Sequence, residues 1–313
     1  MTLHRLSCIV LGGGGFLGTN LCRRLASSGA KVGAFGRRCV FPRALGAVEW
    51  HSGDFSDTTA LAAAIEGHDI VFHLIHTFTP YFASLDIVAD LQQNAISTLA
   101  LLDICRKLDV KRVVFVSSAG TIYGSAKQFP TPETAPTDPI TAYGVSKLAI
   151  EKYLGLYEYL HGLEFRVLRV ANPFGPFQVP TKNQGIIAAL ISHALTGKRV
   201  EIWGDGSVVR DYVFVDDVID ALESAAADRS DMRIFNIGTG HGRSLRDVIS
   251  AIEKQLNRKI DITWKQRRRM DVPTSIVATD RARDVLGWTP KTSFEAGLER
   301  TVAWWHSCAA TLP

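Results

Sequence analysis

A tyrosine and a lysine with the spacing of one helical turn, Tyr143 and Lys147, occur in the segment YGVSK. In a helix, residues four apart lie on the same face, so the two side chains are neighbours. An ammonium group beside a phenol favours the phenolate and lowers the pKa of the tyrosine. The pair is therefore suited to acid–base catalysis near neutral pH.

Hydroxyl side chains precede this pair in the segment VVFVSSAGTIYG. Ser117, Ser118 and Thr121 follow an apolar run typical of a buried strand. At a strand end they can hold the oxygen of a group that exchanges a proton with Tyr143. The sequence favours Ser118 for this contact and leaves Thr121 as the alternative.

Glycines dominate the segment LGGGGFLG, which follows the apolar run Leu6–Leu11. Gly12, Gly15 and Gly18 are spaced so that a strand turns tightly into a helix while the backbone approaches a pyrophosphate. The free N–H groups at the start of that helix attract anions. The pattern predicts a dinucleotide site. Two further segments support this prediction. In GDF, the carboxylate of Asp54 can accept a hydrogen bond from an adenine amino group. The segment FHLIH, which ends at His76, is expected to lie beside the phosphates.

Strand-like and helical segments alternate around these residues. The apolar runs are Leu6–Leu11, Ala30–Phe35, Ala47–His51, Ile70–Leu74, Val113–Val116 and Phe165–Val170. This order predicts an α/β fold with a doubly wound parallel sheet. We expect a Rossmann domain over residues 1–171 with a later contribution near 207–230. Residues 172–313 are expected to form a smaller, mixed α/β substrate-binding lobe.

Composition narrows the class of protein. The net charge of +4 and the single dense basic run, Arg267–Arg269, do not indicate a nucleic-acid partner. No apolar segment reaches the ~20 residues of a membrane span. The five scattered cysteines form no CxxC pair, so we expect no metal site and a cytoplasmic location.

The motifs together resemble the extended short-chain dehydrogenase/reductase family, and within it the NAD-dependent epimerase/dehydratase group. GGGGFLG, GDFSD, VFHLIH, YGVSK, RVANPFGP, GDGSVVRDYVFVDD and LGWTP occur in the family's order over nearly the whole chain. Sugar-nucleotide epimerases, such as UDP-glucose and UDP-N-acetylglucosamine 4-epimerases, are the most similar members. The resemblance implies a nucleotide-sugar 4-epimerase that acts through a transient 4-keto sugar with a tightly bound nicotinamide cofactor.

The resemblance also implies roles for individual residues. Tyr143 would be the acid–base, and Lys147 would bind the nicotinamide ribose. The substrate diphosphate would be contacted by Asn172, Arg210 and Arg268. Arg268 lies shortly before Asp271. The remaining implied residues line the cofactor cleft: Gly12, Gly15, Phe16 and Leu17 at the pyrophosphate, Asp54 and Phe55 at the adenine, and Leu74, Ile75 and Asn94 along the cleft.

Some segments depart from the family pattern. NAD-binding members carry an acidic residue after the second strand, whereas this chain has Gly36, Arg37 and Arg38. Two guanidinium groups suit a 2′-phosphate, so the sequence favours NADP over NAD. In the 4-epimerases that the chain resembles, the position of Ser275 controls access for the sugar 2-substituent. The small serine implies that N-acetylhexosamines are admitted. Ala119 and Gly120 replace the acid pair of the dehydratases.

Other functions stay open at this stage. An NADP-dependent nucleotide-sugar reductase or dehydrogenase is the alternative enzyme, and a cofactor-sensing protein without catalysis is the alternative class. Family members pair through helices equivalent to Leu91–Leu108 and Ala142–Leu160, which carry apolar residues on more than one face. We therefore expect a homodimer.

Overall fold

Short apolar segments rich in Val, Ile and Phe form the centre of the molecule. The computed structural model describes residues 6–46, 48–180, 185–266 and 272–308. Its strands are β1 (Ser7–Leu11), β2 (Lys31–Gly36), β3 (Glu49–Ser52), β4 (Ile70–His73), β5 (Arg112–Ser118), β6 (Glu164–Val170), β7 (Asn172–Phe174), β8 (Val200–Trp203), β9 (Val209–Phe214), β10 (Ile234–Ile237), β11 (Gly242–Ser244), β12 (Ile262–Lys265) and β13 (Thr274–Ser275).

Helices connect most of these strands. They are α1 (Phe16–Ser27), α2 (Pro42–Leu45), α3 (Thr58–Ile65), α4 (Pro80–Leu85), α5 (Ile87–Asp90), a π-helix (Leu91–Ile96), α6 (Ser97–Lys107), α7 (Ala119–Ile122), α8 (Ala142–His161), α9 (Ile186–Thr196), α10 (Val215–Ala227), α11 (Leu245–Leu256), α12 (Asp280–Leu286) and α13 (Phe294–Cys308). The sequence predicts one helix over Leu91–Leu108, whereas the structure divides it into the π-helix and α6.

The described residues form a seven-stranded central sheet in the order β10-β6-β5-β4-β1-β2-β3. Every neighbouring pair in it is parallel. The chain leaves β1 toward β2 on one side and returns to β4 on the other, so the carboxyl ends of these strands frame a crevice. The predicted α/β fold with a doubly wound parallel sheet is confirmed.

Both faces of this sheet are covered. Alternate residues of β1 point to opposite sides, because side chains alternate along a strand. Cys8 and Val10 join a core that α1 and α10 complete, while Ile9 and Leu11 join a core completed by α3, α6 and α8. The central strands are thus apolar on both faces, which explains their continuous hydrophobic runs.

The second half of the chain builds smaller sheets and returns once to the main sheet. β11, β9 and β13 are neighbours, and β7 also pairs with β9; β8 pairs with β12. Between them, α10 and β10 join the central sheet. The division into lobes at residue 172, with a later contribution near 207–230, stays a prediction. Among the described residues, no helix has the length and apolar character needed to cross a membrane.

Candidate active site

The glycine-rich turn joins β1 to α1 at the carboxyl edge of the sheet. Gly12 has a φ of +86°, a conformation that suits glycine. A Cβ on Gly18 would lie 2.1 Å from the carbonyl oxygen of Gly12, and one on Gly14 would lie 2.1 Å from that of Arg38. Gly15 is the N-cap residue of α1 and has no side chain that could accept a hydrogen bond from the helix. The first N–H groups of the helix are therefore available to an anion.

The ends of β2 and β3 lie next to this turn. Gly36 accepts a hydrogen bond from the backbone N–H of Gly53, and Arg37 and Arg38 are exposed beyond it. The exposed carboxylate of Asp54 accepts hydrogen bonds from the backbone and hydroxyl of Ser56, at 3.0 and 2.7 Å. These bonds, with the charge of Arg37, lower the pKa of Asp54. Phe55 is buried against His73, with ring centroids 5.1 Å apart.

A cavity of about 1090 Å³ extends from the glycine turn to β8 and β9. This exceeds the ~300–1,000 Å³ of a pocket for one small ligand. Charged groups among its described lining residues are Lys147, Arg210 and Glu201. The cavity is lined by these predicted site residues: Gly12, Gly15, Phe16, Leu17, Leu74, His76, Ser117, Ser118, Thr121, Tyr143, Lys147, Asn172 and Arg210.

Tyr143 and Lys147 lie on the first turns of α8. The hydroxyl of Thr141 caps this helix by accepting the N–H of Gly144. The ammonium of Lys147 donates to the carbonyl of Val116 at 2.8 Å and lies 5.8 Å from the centroid of the Tyr143 ring. The spacing thus places both side chains in one cavity, with the lysine anchored to β5.

The pKa values of Lys147 and Tyr143 differ from those expected for a charged lysine beside an ionisable tyrosine. Burial lowers the pKa of Lys147 to about 7, although Glu151 and Asp90 oppose the shift. Burial and the charge of Asp90 raise the pKa of Tyr143. In the protein without ligands, burial and Asp90 thus outweigh the lowering of the tyrosine pKa that is expected from Lys147. A bound positive charge would favour the phenolate.

The hydroxyls before Tyr143 have different environments. Ser117 is buried and donates to Glu151 at 2.6 Å, so its hydroxyl already has a partner inside the protein. Ser118 ends β5 at the cavity wall. The buried hydroxyl of Thr121 lies at the same wall and has no hydrogen-bond partner in the described part of the chain. Both alternatives for the hydroxyl next to Tyr143 therefore stay open.

The segment after β4 carries further predicted residues. Ile75 packs near Gly12, and Asn94 is buried behind the cavity wall. The side-chain oxygen of Asn94 accepts the N–H of Thr77 at 2.8 Å. Its amide donates to Asp90 at 3.0 Å. Neither Ile75 nor Asn94 is among the cavity-lining residues, and the hydrogen bonds of Asn94 fix the loop that bears His76.

The far end of the cavity contains the predicted diphosphate contacts. Asn172 donates to the backbone of Asp211 at 3.2 Å, and Arg210 donates to the carbonyl of Val209 at 2.9 Å. Ser275 pairs with Arg210 across β13 and β9, outside the cavity lining. Arg268 and Asp271 lie outside the described residues.

Comparison with known proteins defines the family. A sequence profile described as the NAD dependent epimerase/dehydratase family matches residues 8–238, well over half of the chain. The chain belongs to this family. The predicted family, the Rossmann fold and the enzyme class are confirmed.

Relatives of this family member match it over nearly their whole length. The UDP-glucose 4-epimerase of Mycolicibacterium smegmatis is 32% identical over 96% of this chain and 98% of its own. The structure of the Thermotoga maritima UDP-glucose 4-epimerase with UDP-glucose has a TM-score of 0.92 and 33% identity, covering 97% of this chain and 100% of that one. The Thermus thermophilus UDP-glucose 4-epimerase complex with NAD has a TM-score of 0.90 and 30% identity, covering 96% and 99%.

Several cavity residues of this epimerase/dehydratase family member are not identified by the sequence motifs. They include Tyr81 from α4, Gln178 after β7 and His193 from α9. The carbonyl oxygen of the Gln178 side chain is buried without a partner in the described residues, while its nitrogen donates to Pro173. His193 bonds the carbonyl of Ala189 through Nδ1 at 2.7 Å. Isolated polar residues in a loop or helix form no motif, so the sequence alone does not identify them as site residues.

Proposed function

We propose that the protein is a nucleotide-sugar 4-epimerase that acts on a UDP-hexose or UDP-N-acetylhexosamine. One observation supports this most: Tyr143, Lys147 and Arg210 line the same cavity that begins at the glycine turn. A cofactor and a nucleotide sugar would thus lie end to end over one acid–base group. Relatives named UDP-glucose 4-epimerase, one of them solved with UDP-glucose, support the substrate class.

The residues present fit a nicotinamide dinucleotide. The uncapped start of α1 and the glycines, whose Cβ atoms would block the turn, form a cradle for a pyrophosphate. Lys147 lines the same cavity, where it would bind the nicotinamide ribose. When bound, the nicotinamide supplies a hydride acceptor and then a hydride donor.

Tyr143 would exchange the proton of the sugar 4-hydroxyl. Its phenol is half-buried at the cavity wall, and its raised pKa keeps it protonated until a cationic cofactor ring is bound beside a charged Lys147. Ser118 or Thr121 would hold the same oxygen. The proton is taken up by Tyr143 and returned after the 4-keto sugar has turned, so no proton is lost over a cycle.

Arg210 and Asn172 would hold the diphosphate while the sugar turns. A guanidinium group binds phosphate oxygens with paired hydrogen bonds and a fixed charge. We propose that Arg268 and Asp271 also bind the substrate near the diphosphate. Only the resemblance to the family supports these two residues. Ser275 is proposed to leave room for an N-acetyl group at the sugar 2-position.

A product assay tests this function. UDP-glucose and UDP-N-acetylglucosamine are incubated separately with the protein and NAD or NADP, and products are analysed by mass spectrometry and NMR. A product of unchanged mass with inverted C4 supports the epimerase and identifies the sugar. Loss of water, or a mass change of two hydrogens with conversion of cofactor, contradicts it.

A second function has support from one observation. Arg37 and Arg38 are exposed beside Gly36, and their guanidinium groups could bind a 2′-phosphate. An NADP-dependent reductase or dehydrogenase would use such a site and exchange its cofactor at each turnover. Conversion of NADPH in proportion to product would favour this function over the epimerase.

We also propose a homodimer formed through α5, the π-helix and α8. Exposed apolar residues cluster on these neighbouring helices, namely Ile87, Val88, Leu91, Val145, Leu156 and Leu160. Packing the same faces of two copies together would remove these side chains from water.

A further inference from the structure

A buried carboxylate, Asp90, lies behind the catalytic tyrosine. Asp90 is 0% exposed and immediately precedes the π-helix. It accepts hydrogen bonds from the Nδ2 of Asn94 at 3.0 Å and the hydroxyl of Ser146 at 2.5 Å. The Nε2 of His76 lies 3.2 Å from its Oδ1. A buried carboxylate without these donors would be strongly unfavourable.

The imidazole of His76 connects this carboxylate to Tyr143. Its ring centroid lies 4.1 Å from that of the phenol, at an interplanar angle of 58°. Because an ionised carboxylate only accepts, the proton of the imidazole lies on Nε2. Nδ1 is buried without a partner among the described residues.

Burial keeps the imidazole of His76 neutral. Burial lowers the pKa of His76 to about 4, and the nearby Lys147 acts in the same direction, while Asp90 opposes both. His73, on β4, is also buried with a lowered pKa. At neutral pH the ring therefore packs on Tyr143 as an uncharged group.

The donors to Asp90 come from different segments around the phenol. His76 belongs to the loop after β4, Asn94 to the π-helix, and Ser146 to α8, the helix that carries Tyr143. One carboxylate thus fixes the loop relative to the catalytic helix. π-Helical turns are common where a fold must place functional groups.

We propose that His76 and Asp90 are positioning residues for Tyr143, with Asp90 orienting the imidazole so that it holds the phenol ring in its reactive position. This inference rests on the proposed acid–base role of Tyr143. It differs from a cofactor-binding role for His76, because the partners seen are Asp90 and the phenol.

The orientation of His76 is tested without any substrate. The histidines are labelled with ¹⁵N, and His76→Gln identifies the resonance by its loss. We expect a neutral Nε2–H tautomer from pH 5.5 to 8, and a mixture of tautomers in Asp90→Asn. A protonated ring or an Nδ1–H tautomer at pH 7, or an unchanged tautomer in Asp90→Asn, overturns the proposal.

The effect on catalysis is tested by kinetics. We expect His76→Ala to lower kcat about 10- to 100-fold while KM changes less than about threefold. His76→Gln, which keeps a donor to Asp90, should recover part of the loss. In Asp90→Asn the acid limb of the kcat profile should move down by about one pH unit, because the charge that raises the pKa of Tyr143 is gone.

Asp217→Asn is the matched control, since Asp217 is also a buried carboxylate but accepts backbone N–H groups of Lys291 and Thr292. It should leave the pH profile unchanged. If His76→Ala keeps kcat within twofold, the positioning role is wrong. If the wild type turns over no nucleotide sugar, the proposed function fails, and the tautomer experiment still decides the orientation of His76.

Discussion

A Cβ atom on Gly18 would lie 2.1 Å from the carbonyl oxygen of Gly12. The start of α1 can therefore pack against the turn only because residue 18 has no side chain. Gly15 is less restricted, since its Cβ would lie 3.3 Å from the same oxygen.

Gly18→Ala should displace the turn and weaken cofactor binding. We expect an affinity loss of at least about tenfold and a Tm decrease of about 5 °C, because the overlap forces the backbone apart. Titration with the dinucleotide and thermal unfolding measure the two effects. Gly15→Ala is the control and should change Tm by less; equal Tm changes in both variants would contradict the steric explanation.

Tyr143→Phe should abolish most turnover while leaving the fold intact. Removing the acid–base group is expected to cost about 10²–10⁴ in kcat, with binding of the nucleotide sugar retained. Kinetics and isothermal titration measure these quantities. Tyr159→Phe, an exposed tyrosine on the same helix, should behave as wild type. Unimpaired turnover by Tyr143→Phe would refute the proposed mechanism.

Cofactor binding should be accompanied by proton uptake. The pKa of Lys147 is about 7 without ligand, and the anionic phosphates of the dinucleotide should raise it. The reduced dinucleotide is used, because its uncharged ring leaves Tyr143 protonated. At pH 7.5 the free lysine is mostly neutral and the bound one charged, so uptake should exceed about half a proton per site. Calorimetry in buffers of different ionisation enthalpy measures this, and Lys147→Met should abolish it. Proton release would contradict the assignment.

The cofactor choice should depend on Arg37 and Arg38. Replacing both by alanine is expected to weaken NADP binding about tenfold and NAD binding less than about twofold, because only NADP carries the 2′-phosphate. Fluorescence titration compares the two affinities. Arg43→Ala, from the neighbouring α2, is the control. An equal loss for both cofactors would exclude selection by these arginines.

The proposed dimer interface should be sensitive to charge on α8. Leu156→Asp and Leu160→Asp together are expected to produce a monomer, because burying two carboxylates at the interface is unfavourable. Light scattering at micromolar concentration measures the mass. Met232→Asp, an exposed apolar residue elsewhere, should not change it. A wild-type monomer at this concentration would contradict the proposal.

Much of the fold follows from local sequence patterns. The six apolar runs predicted from the sequence correspond to β1–β6, because each is short and β-rich and helical patterns separate most of them. The strand β10 is not predicted, since Ile234–Ile237 is a short run whose partner, β6, is distant in the chain. Only the tertiary fold determines that pairing.

The candidate site is predicted less completely than the fold. The glycine turn, Tyr143 and Lys147 have characteristic spacings and share one cavity. Other site residues make contacts that no local spacing predicts. Ser117 donates to Glu151, and Asn94 accepts the N–H of Thr77, although the partners lie in different elements. The contact between His76 and Tyr143 crosses 67 positions in the chain, so no local pattern reveals it.

The position of β10 at the end of the central sheet has a consequence for dissection of the protein. A fragment that ends at residue 171 would lack this strand, and the backbone groups of β6 that pair with it would be left open. An unpaired edge strand is a template for intermolecular association. Residues 1–171 would therefore aggregate when expressed alone, and a fragment extended through residue 237 would restore the missing edge.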